Sequence, residues 1–218
     1  MTQEKLGKTP QVFVDQLYDG LEVINDIFTA NGLEYCLAAG TLLGGVRHTG
    51  LIPWDDDADL YILEADIEKF FSLEQQFAER GYRLSQQPWE LWGGYKVFST
   101  AGISMPEENN RDYLYPSVDI FPLSEQDGYL RYTSHLALAN WPREYLTVED
   151  WHSRGAMRFG HLDLPAPDAL ASRRYLERAY GNEWSSHAAK GFDHRYEVDL
   201  DTEKVTLSDF RCAVKTRA

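Results

Sequence analysis

Residues 40–62 read GTLLGGVRHTGLIPWDDDADLYI, which is a glycine-rich turn, an acidic run and an apolar strand in succession. The acidic run places four aspartates within five residues, namely Asp55, Asp56, Asp57 and Asp59. Carboxylates this close disfavour one another's ionisation unless cations neutralise them. Because successive strand side chains point to opposite faces, Asp57 and Asp59 share one face. Magnesium commonly binds one or two carboxylates together with substrate phosphates. The stretch therefore predicts a divalent metal site engaged in phosphate chemistry.

A strand-to-helix turn is predicted just before the aspartates. Residues 33–39 read as a buried strand, and Thr41 follows Gly40 as the N-cap of a short helix. Backbone N–H groups at such a turn suit an anionic phosphate, and the glycine lets a ligand approach the backbone closely. A glycine after a strand is more often only a turn, so the feature gains weight from the acidic run beside it. Gly40 and Thr41 are therefore candidate substrate-binding residues.

Four further residues are candidates for the same site. Asp119 is an isolated acid in the apolar strand 117–123, where a charge is rarely buried without a partner, so it is a candidate third carboxylate. A strand-end aspartate that faces water or pairs with an arginine is an equally good interpretation. Arg47 and His48 could neutralise donor phosphates or pair with the acidic run. Lys96 could also reach a phosphate, although a strand lysine is more often a solvated surface charge.

Composition limits the partners of the chain. Its 21 Lys and Arg residues against 35 Asp and Glu residues give a formal net charge of −14, which argues against sequence-independent binding to nucleic acids or anionic lipid surfaces. The two cysteines, Cys36 and Cys212, provide no disulfide framework, which is typical of a reducing compartment. No segment approaches the ~18 apolar residues of a membrane helix, and the N-terminus lacks a basic region followed by an apolar one. We expect a cytoplasmic protein with no nucleic acid partner and no integral membrane segment.

Hydrophobic patterning predicts an α+β fold in which a mixed β-sheet is flanked by helices. Helical periodicity marks residues 11–31 and about 66–80, each followed by a glycine that stops the helix. The predicted strands are 33–39, 59–63, 82–84, 95–98 and 118–121, and the pattern turns helical past residue 150. We expect a single domain followed by a polar tail: a core over about 11–135, a helical part over about 136–190 that completes the domain 1–190, and the tail over 191–218.

The motifs resemble the signature of the LicD family, which also includes the fukutin-related proteins. The resemblance is carried by Gly40-Thr41-Leu42-Leu43-Gly44, Val46-Arg47-His48, Gly50, Ile52-Pro53-Trp54-Asp55-Asp56-Asp57 and Asp59, and it continues through residues 118–123 and 175–181. It implies a nucleotidyltransferase-like fold. It also implies a phosphotransferase that moves phosphocholine or an alditol phosphate from a CDP-linked donor to a sugar hydroxyl of a cell-surface glycan, such as lipopolysaccharide or teichoic acid.

The resemblance also implies roles for individual residues. In such folds a glycine followed by Ser or Thr holds donor phosphates, which here falls on Gly40 and Thr41. The Asp-x-Asp pair that binds the metals falls on Asp57 and Asp59, and a third acid from a neighbouring strand falls on Asp119. We expect two Mg²⁺ or Mn²⁺ ions in the site, with Asp119 as the base. Asp55 would be an additional metal ligand or a supporting acid.

Four other interpretations stay open at this level. Glycosyltransferases also use an Asp-x-Asp metal site with a nucleotide-sugar, and the implied fold supports nucleotidyl transfer from a nucleoside triphosphate. The acidic run could instead belong to a non-catalytic module that binds a divalent cation such as calcium, or to a solvated loop. The flanking apolar residues weigh against the loop, because they would half-bury the carboxylates, which then need partners.

Overall fold

A mixed β-sheet lies at the centre of the computed structural model, which describes residues 3–89, 92–109, 111–201 and 203–216. Within these residues the sheet has seven strands: β1 (Tyr35–Leu37), β2 (Ala58–Leu63), β3 (Tyr82–Gln86), β4 (Tyr95–Ser104), β5 (Leu114–Gln126), β6 (Tyr129–Tyr132) and β7 (Leu146–Thr147). The order is β1-β2-β5-β4-β3, with β6 added to β5 and β7 to β6. β2 and β5 run parallel, whereas the other pairs run antiparallel.

Helix α1 (Gln11–Asn31) packs against β4 and β5 and covers one face of the sheet. Its apolar residues recur at helical spacing and are buried, including Leu17, Leu21 and Phe28. The helix ends at Gly32, which adopts a left-handed φ of 61° and donates its N–H to carbonyls of the last turn. The predicted helix and its glycine stop are both present in the structure.

The remaining helices are short except for the last one. They are α2 (Ala39–His48), α3 (Ile67–Ser72), α4 (Glu74–Glu79), α5 (His135–Asn140), α6 (Val148–His152) and α7 (Ala169–Tyr180). The single helix predicted over about 66–80 is divided into α3 and α4 at Leu73, which has a φ of −89° and a ψ of −1°. Helix α2 begins at Ala39 rather than after Thr41, so Thr41 lies inside its first turn. The predicted fold class, a mixed sheet flanked by helices, is confirmed.

The C-terminal part contains β-structure as well as helices. Strands β8 (Gly155–Phe159) and β9 (Leu162–Ala166) form an antiparallel hairpin between α6 and α7. Beyond α7 the polar segment returns to the domain in four two-residue strands: β10 (His187–Ala188), β11 (Phe192–Asp193), β12 (Val198–Asp199) and β13 (Val205–Thr206). β10 pairs with β13 and β11 with β12. Val205 and Leu207 are buried, so this segment is packed despite its polarity. Among the described residues, no helix has the length and hydropathy needed to span a bilayer.

Candidate active site

Three carboxylates meet where the parallel strands β2 and β5 lie side by side. Asp57 directly precedes β2, and Asp59, in β2, is in register with Asp119 of β5. One oxygen from each of the three lies within 4.8 Å of the others, and all three residues are buried. The structure therefore brings together the three acids that were predicted as metal ligands.

Burial and mutual repulsion make this cluster costly to ionise. Burial raises the pKa of Asp57 to about 8; the nearby His194 opposes this rise and the neighbouring carboxylates add to it. Burial also raises the pKa of Asp59 well above its usual range, and Asp57 and Asp119 add to the effect. Burial raises the pKa of Asp55 to about 6. An oxygen-only donor set that is buried and repels itself fits a hard divalent cation, which would supply the missing positive charge.

Gly40 and Thr41 lie in the first turn of α2, next to the aspartates. A Cβ atom added at Gly40 would stand 2.9 Å from Asp55 Oδ2 and 3.5 Å from Asp59 Oδ2, so a side chain there would force the Asp55 carboxylate to shift. The Thr41 hydroxyl accepts a hydrogen bond from the backbone N–H of Asp59 at 2.7 Å. Thr41 thus fixes the start of β2, whereas Gly40 lines the cavity in front of the cluster.

Arg47 and His48, at the end of α2, occupy different environments. Arg47 lines the cavity, and its guanidinium donates to the carbonyls of Trp184 at 2.8 Å and His187 at 3.1 Å. His48 is buried, and burial together with the adjacent Arg47 lowers its pKa to about 4. Its Nε2 accepts from Arg47 Nε at 3.0 Å. His48 therefore supports Arg47, which is the residue of the two that reaches the cavity.

Lys96 is buried against Asp119 and is not a solvated surface charge. The register of β4 on β5 places the two residues opposite each other, and Lys96 Nζ donates to both oxygens of Asp119 at 2.7 Å. The ammonium group also lies 4.7 Å from the ring centroid of Tyr113 and 5.3 Å from that of Trp92. Asp119 thus has a fixed cationic partner in addition to its place in the carboxylate cluster.

His194 enters the same cluster from the C-terminal segment. Its Nδ1 lies 2.9 Å from Asp56 Oδ1, and its Nε2 lies 3.0 Å from Asp57 Oδ2. Burial opposes a charge on the imidazole, but the two carboxylates prevail and raise the pKa of His194 to about 10. Burial likewise works against the charge of Asp56, yet the hydrogen bond from His194 lowers the pKa of Asp56. Sequence reasoning missed His194, because it lies 138 residues from its partner in a polar segment without a motif.

A cavity of ≈ 1090 Å³ opens in front of the carboxylates. This volume lies at the upper end of the range for small-molecule sites and exceeds what a single metal ion needs. One wall is aromatic and is formed by Trp92, Phe121, Tyr132 and Trp141, with the Trp92 and Phe121 ring centroids 4.5 Å apart. Beside this wall, Glu144 accepts hydrogen bonds from Tyr132 at 2.7 Å and Tyr175 at 3.2 Å, and burial raises its pKa.

Comparison with models of protein families shows the family to which this chain belongs. Residues 32–169 match the family model described as LicD/FKTN/FKRP, nucleotidyltransferase domain. The chain belongs to the LicD family. The resemblance seen in the sequence motifs is therefore confirmed, and the matched range contains the four clustered aspartates of the acidic run as well as Lys96 and Asp119.

Individual relatives within the LicD family are named for their activities. The chain is 37% identical over 176 residues to the ribitol 5-phosphate transferase FKRP of Mus musculus, covering 79% of this chain and 33% of that protein. It is 38% identical over 52 residues to the lipopolysaccharide cholinephosphotransferase LicD of Haemophilus influenzae, covering 24% of this chain and 20% of that protein. The chain spans 50% and 56% of the length of two further curated relatives.

A crystal structure of the lincosamide antibiotic adenylyltransferase LnuA with lincomycin aligns with a TM-score of 0.42 at 14% identity, covering 77% of this chain and 85% of LnuA.

Within the chain itself, the LicD-family match ends before the C-terminal segment begins. Lys190 and His194 therefore lie outside the matched residues, although both are close to the acidic run. The candidate site is thus built from the family domain together with a segment that follows it.

Proposed function

We propose that this chain is a metal-dependent phosphotransferase that moves phosphocholine or an alditol phosphate from a CDP-linked donor to a sugar hydroxyl of a cell-surface glycan. The observation that carries the proposal is the convergence of Asp57, Asp59 and Asp119 within 4.8 Å at the base of a large cavity. Its family context supports the reaction class, because relatives are named as a cholinephosphotransferase and a ribitol 5-phosphate transferase.

The same three carboxylates would hold the metal, which we propose to be two Mg²⁺ or Mn²⁺ ions, and Asp55 stands close enough to Gly40 and Asp59 to support them. When bound, such ions offset the charge of a pyrophosphate and of the leaving phosphate. Lysine and arginine side chains around the cavity provide further positive charge for an anionic donor, and they are Arg47, Lys96, Arg111, Lys190 and Lys204. These local charges matter because the chain as a whole carries a net charge of −14.

We assign the role of base to Asp119. In the proposed step the acceptor hydroxyl oxygen attacks the phosphorus that carries the headgroup, the bond from this phosphorus to CMP breaks, and the hydroxyl proton passes to Asp119. Lys96 orients the carboxylate through its two hydrogen bonds at 2.7 Å.

The proposal also concerns the setting of the reaction. Cys36 and Cys212 are both free thiols, which agrees with action in a reducing compartment such as the cytoplasm. The acidic composition supports a small anionic donor bound at a local basic site, with no nucleic acid partner.

The test is release of CMP from CDP-choline, CDP-ribitol and CDP-glycerol in the presence of Mg²⁺ or Mn²⁺ and a glycan acceptor. Asp57→Asn should abolish release while the folded structure is retained, because it removes one carboxylate charge from the cluster. Asp163→Asn is the matched control, since Asp163 is an exposed aspartate paired only loosely with Arg158 at 3.6 Å. UDP from a UDP-sugar, or pyrophosphate from a nucleoside triphosphate, would identify another transferase. Tight calcium binding without any turnover would identify a binding module.

A further inference from the structure

The hairpin formed by β11 and β12, residues 192–199, lies across the cavity and is held there by polar contacts. His194 contacts Asp56 and Asp57 as described, and Lys190, just before the hairpin, has its Nζ 3.8 Å from Asp56 Oδ1. On the other side, Glu197 accepts from Arg111 Nε at 2.7 Å and from Tyr113 Oη at 2.5 Å. His194 and Glu197 both line the cavity, so the hairpin closes part of its mouth.

Apolar burial contributes little to the position of this hairpin. Tyr196 and Val198 are 53% and 47% exposed, and Phe192 is only partly buried. A segment that is held mainly by polar contacts and has few buried apolar side chains opens at a lower free energy than the core does. The contacts of His194 and Glu197 therefore decide how often the hairpin is closed.

The contact of His194 conflicts with a cation on the same carboxylate. His194 Nε2 lies 3.0 Å from Asp57 Oδ2, so the imidazole occupies the space beside this oxygen. A divalent cation bound through Asp57 Oδ2 would need the same space, so the cation and the imidazole compete for this oxygen. Asp57 can therefore contact either His194 of the closed hairpin or a bound cation, but not both at once.

We propose that the β11–β12 hairpin is a lid, that His194 pins it over the cavity when no metal is bound, and that a divalent cation at Asp57 displaces His194 and releases the lid. The proposal rests on the metal assignment of the proposed function. It implies an order of binding, in which the cation opens the mouth of the cavity before the nucleotide donor enters. By competing for Asp57, the lid would also lower the affinity of the resting protein for metal.

The experiment measures Mn²⁺ binding by electron paramagnetic resonance, without nucleotide, in the full chain and in variants. His194→Ala should bind Mn²⁺ roughly tenfold more tightly, because the imidazole 3.0 Å from Asp57 Oδ2 no longer competes for that carboxylate. Glu197→Gln should also bind Mn²⁺ more tightly, because it loosens the closed hairpin without touching the aspartates. Loss of one negative charge near the cavity would by itself weaken cation binding. For Glu197→Gln, a lid therefore predicts a higher affinity for Mn²⁺, whereas a purely electrostatic effect predicts a lower one. His161→Ala, at a partly exposed histidine near Glu22, is the matched control.

A second measurement follows the lid directly through trypsin cleavage after Lys190 and Arg195, located by mass spectrometry. Mn²⁺ should accelerate cleavage there in the wild type, whereas His194→Ala should be cleaved rapidly with or without the ion. The lid would be overturned, and the proposed function would stand, if two results were found together. The first is Mn²⁺ binding by His194→Ala that is unchanged or weaker than that of the wild type, and the second is wild-type binding that is lost in Asp57→Asn. If neither the wild type nor His194→Ala binds Mn²⁺, the lid and the metal assignment would both be overturned.

Discussion

Replacing Lys96 with methionine should destabilise the protein strongly, because it removes one partner of a buried ion pair. Lys96 and Asp119 are only 5% and 6% exposed, and Lys96 Nζ donates to both Asp119 oxygens at 2.7 Å. Methionine keeps most of the volume of the lysine stem, so the change tests the charge and not the packing. Leaving an uncompensated charge in such a place typically costs about 3–5 kcal/mol, which we expect as the loss in free energy of unfolding without metal.

The assay is urea denaturation in EDTA, followed by circular dichroism. Lys204→Met is the control, because Lys204 pairs with Glu183 at the surface, where both side chains are more than half exposed. Such a surface pair contributes about 0.2–1 kcal/mol, several times less than the expected loss at Lys96. The double variant Lys96→Met/Asp119→Asn should regain much of the lost stability, since neither charge then remains.

One further result follows from the same reasoning. Mg²⁺ should restore part of the stability of Lys96→Met, because a ligand that binds only the folded state stabilises it. A loss below about 1 kcal/mol for Lys96→Met in EDTA, equal to that of the surface control, would refute the idea that Asp119 depends on this buried partner.

Three other predictions concern the surroundings of the cluster. Gly40→Ala should lose CMP release in the donor assay and gain none of the ~1 kcal/mol that alanine usually adds in a helix, because its Cβ would stand 2.9 Å from Asp55 Oδ2; normal turnover with a more stable fold would contradict this. The pKa of His194 is raised to about 10, so its contribution to stability should be full below pH ~6.5 and disappear as the pH rises toward 10. Urea midpoints in EDTA across this range should show a downward slope that His194→Ala reduces, and equal slopes would argue against the imidazolium. Tyr61→Phe should lower the free energy of unfolding by about 1–3 kcal/mol, since the buried Tyr61 hydroxyl bonds two other tyrosine hydroxyls at 3.0 and 2.8 Å; a urea midpoint equal to that of the wild type would show that the network is dispensable.

Local patterns predicted those parts of the site that lie close together in the chain. The alternation of a strand predicted that Asp57 and Asp59 share one face, and both lie in the carboxylate cluster. The glycine was predicted to let a ligand approach the backbone; in the structure Gly40 lies in the first turn of α2, close to Asp55 and Asp59. The position of α1 followed from its apolar periodicity and its glycine stop. In each case neighbouring residues carry the information, so no knowledge of tertiary structure was needed.

Other features depend on contacts between distant segments, which one sequence does not reveal. Spacing left open whether Asp119 faces water, and only its register with Asp59 and Lys96 shows that it is buried in the cluster. The polarity of the C-terminal segment suggested a tail, yet His194 of this segment contacts Asp56 of the acidic run. This contact is between charged groups, so no hydrophobic periodicity in the sequence indicated it. The predicted helix over about 66–80 is interrupted at Leu73, which is buried in the core, and its apolar periodicity did not predict that interruption.

The parallel pairing of β2 with β5 also has a consequence for the kinetics of folding. Strand β1 and helix α2 are close in sequence to Asp57 and Asp59, so this half of the cluster can be organised by short loops. Asp119 arrives only when β5 docks in parallel beside β2, and a non-local pairing of this kind requires the closure of a long loop. We therefore expect the complete set of three carboxylates to be among the last features to form. Recovery of the site during refolding would then report the arrival of β5.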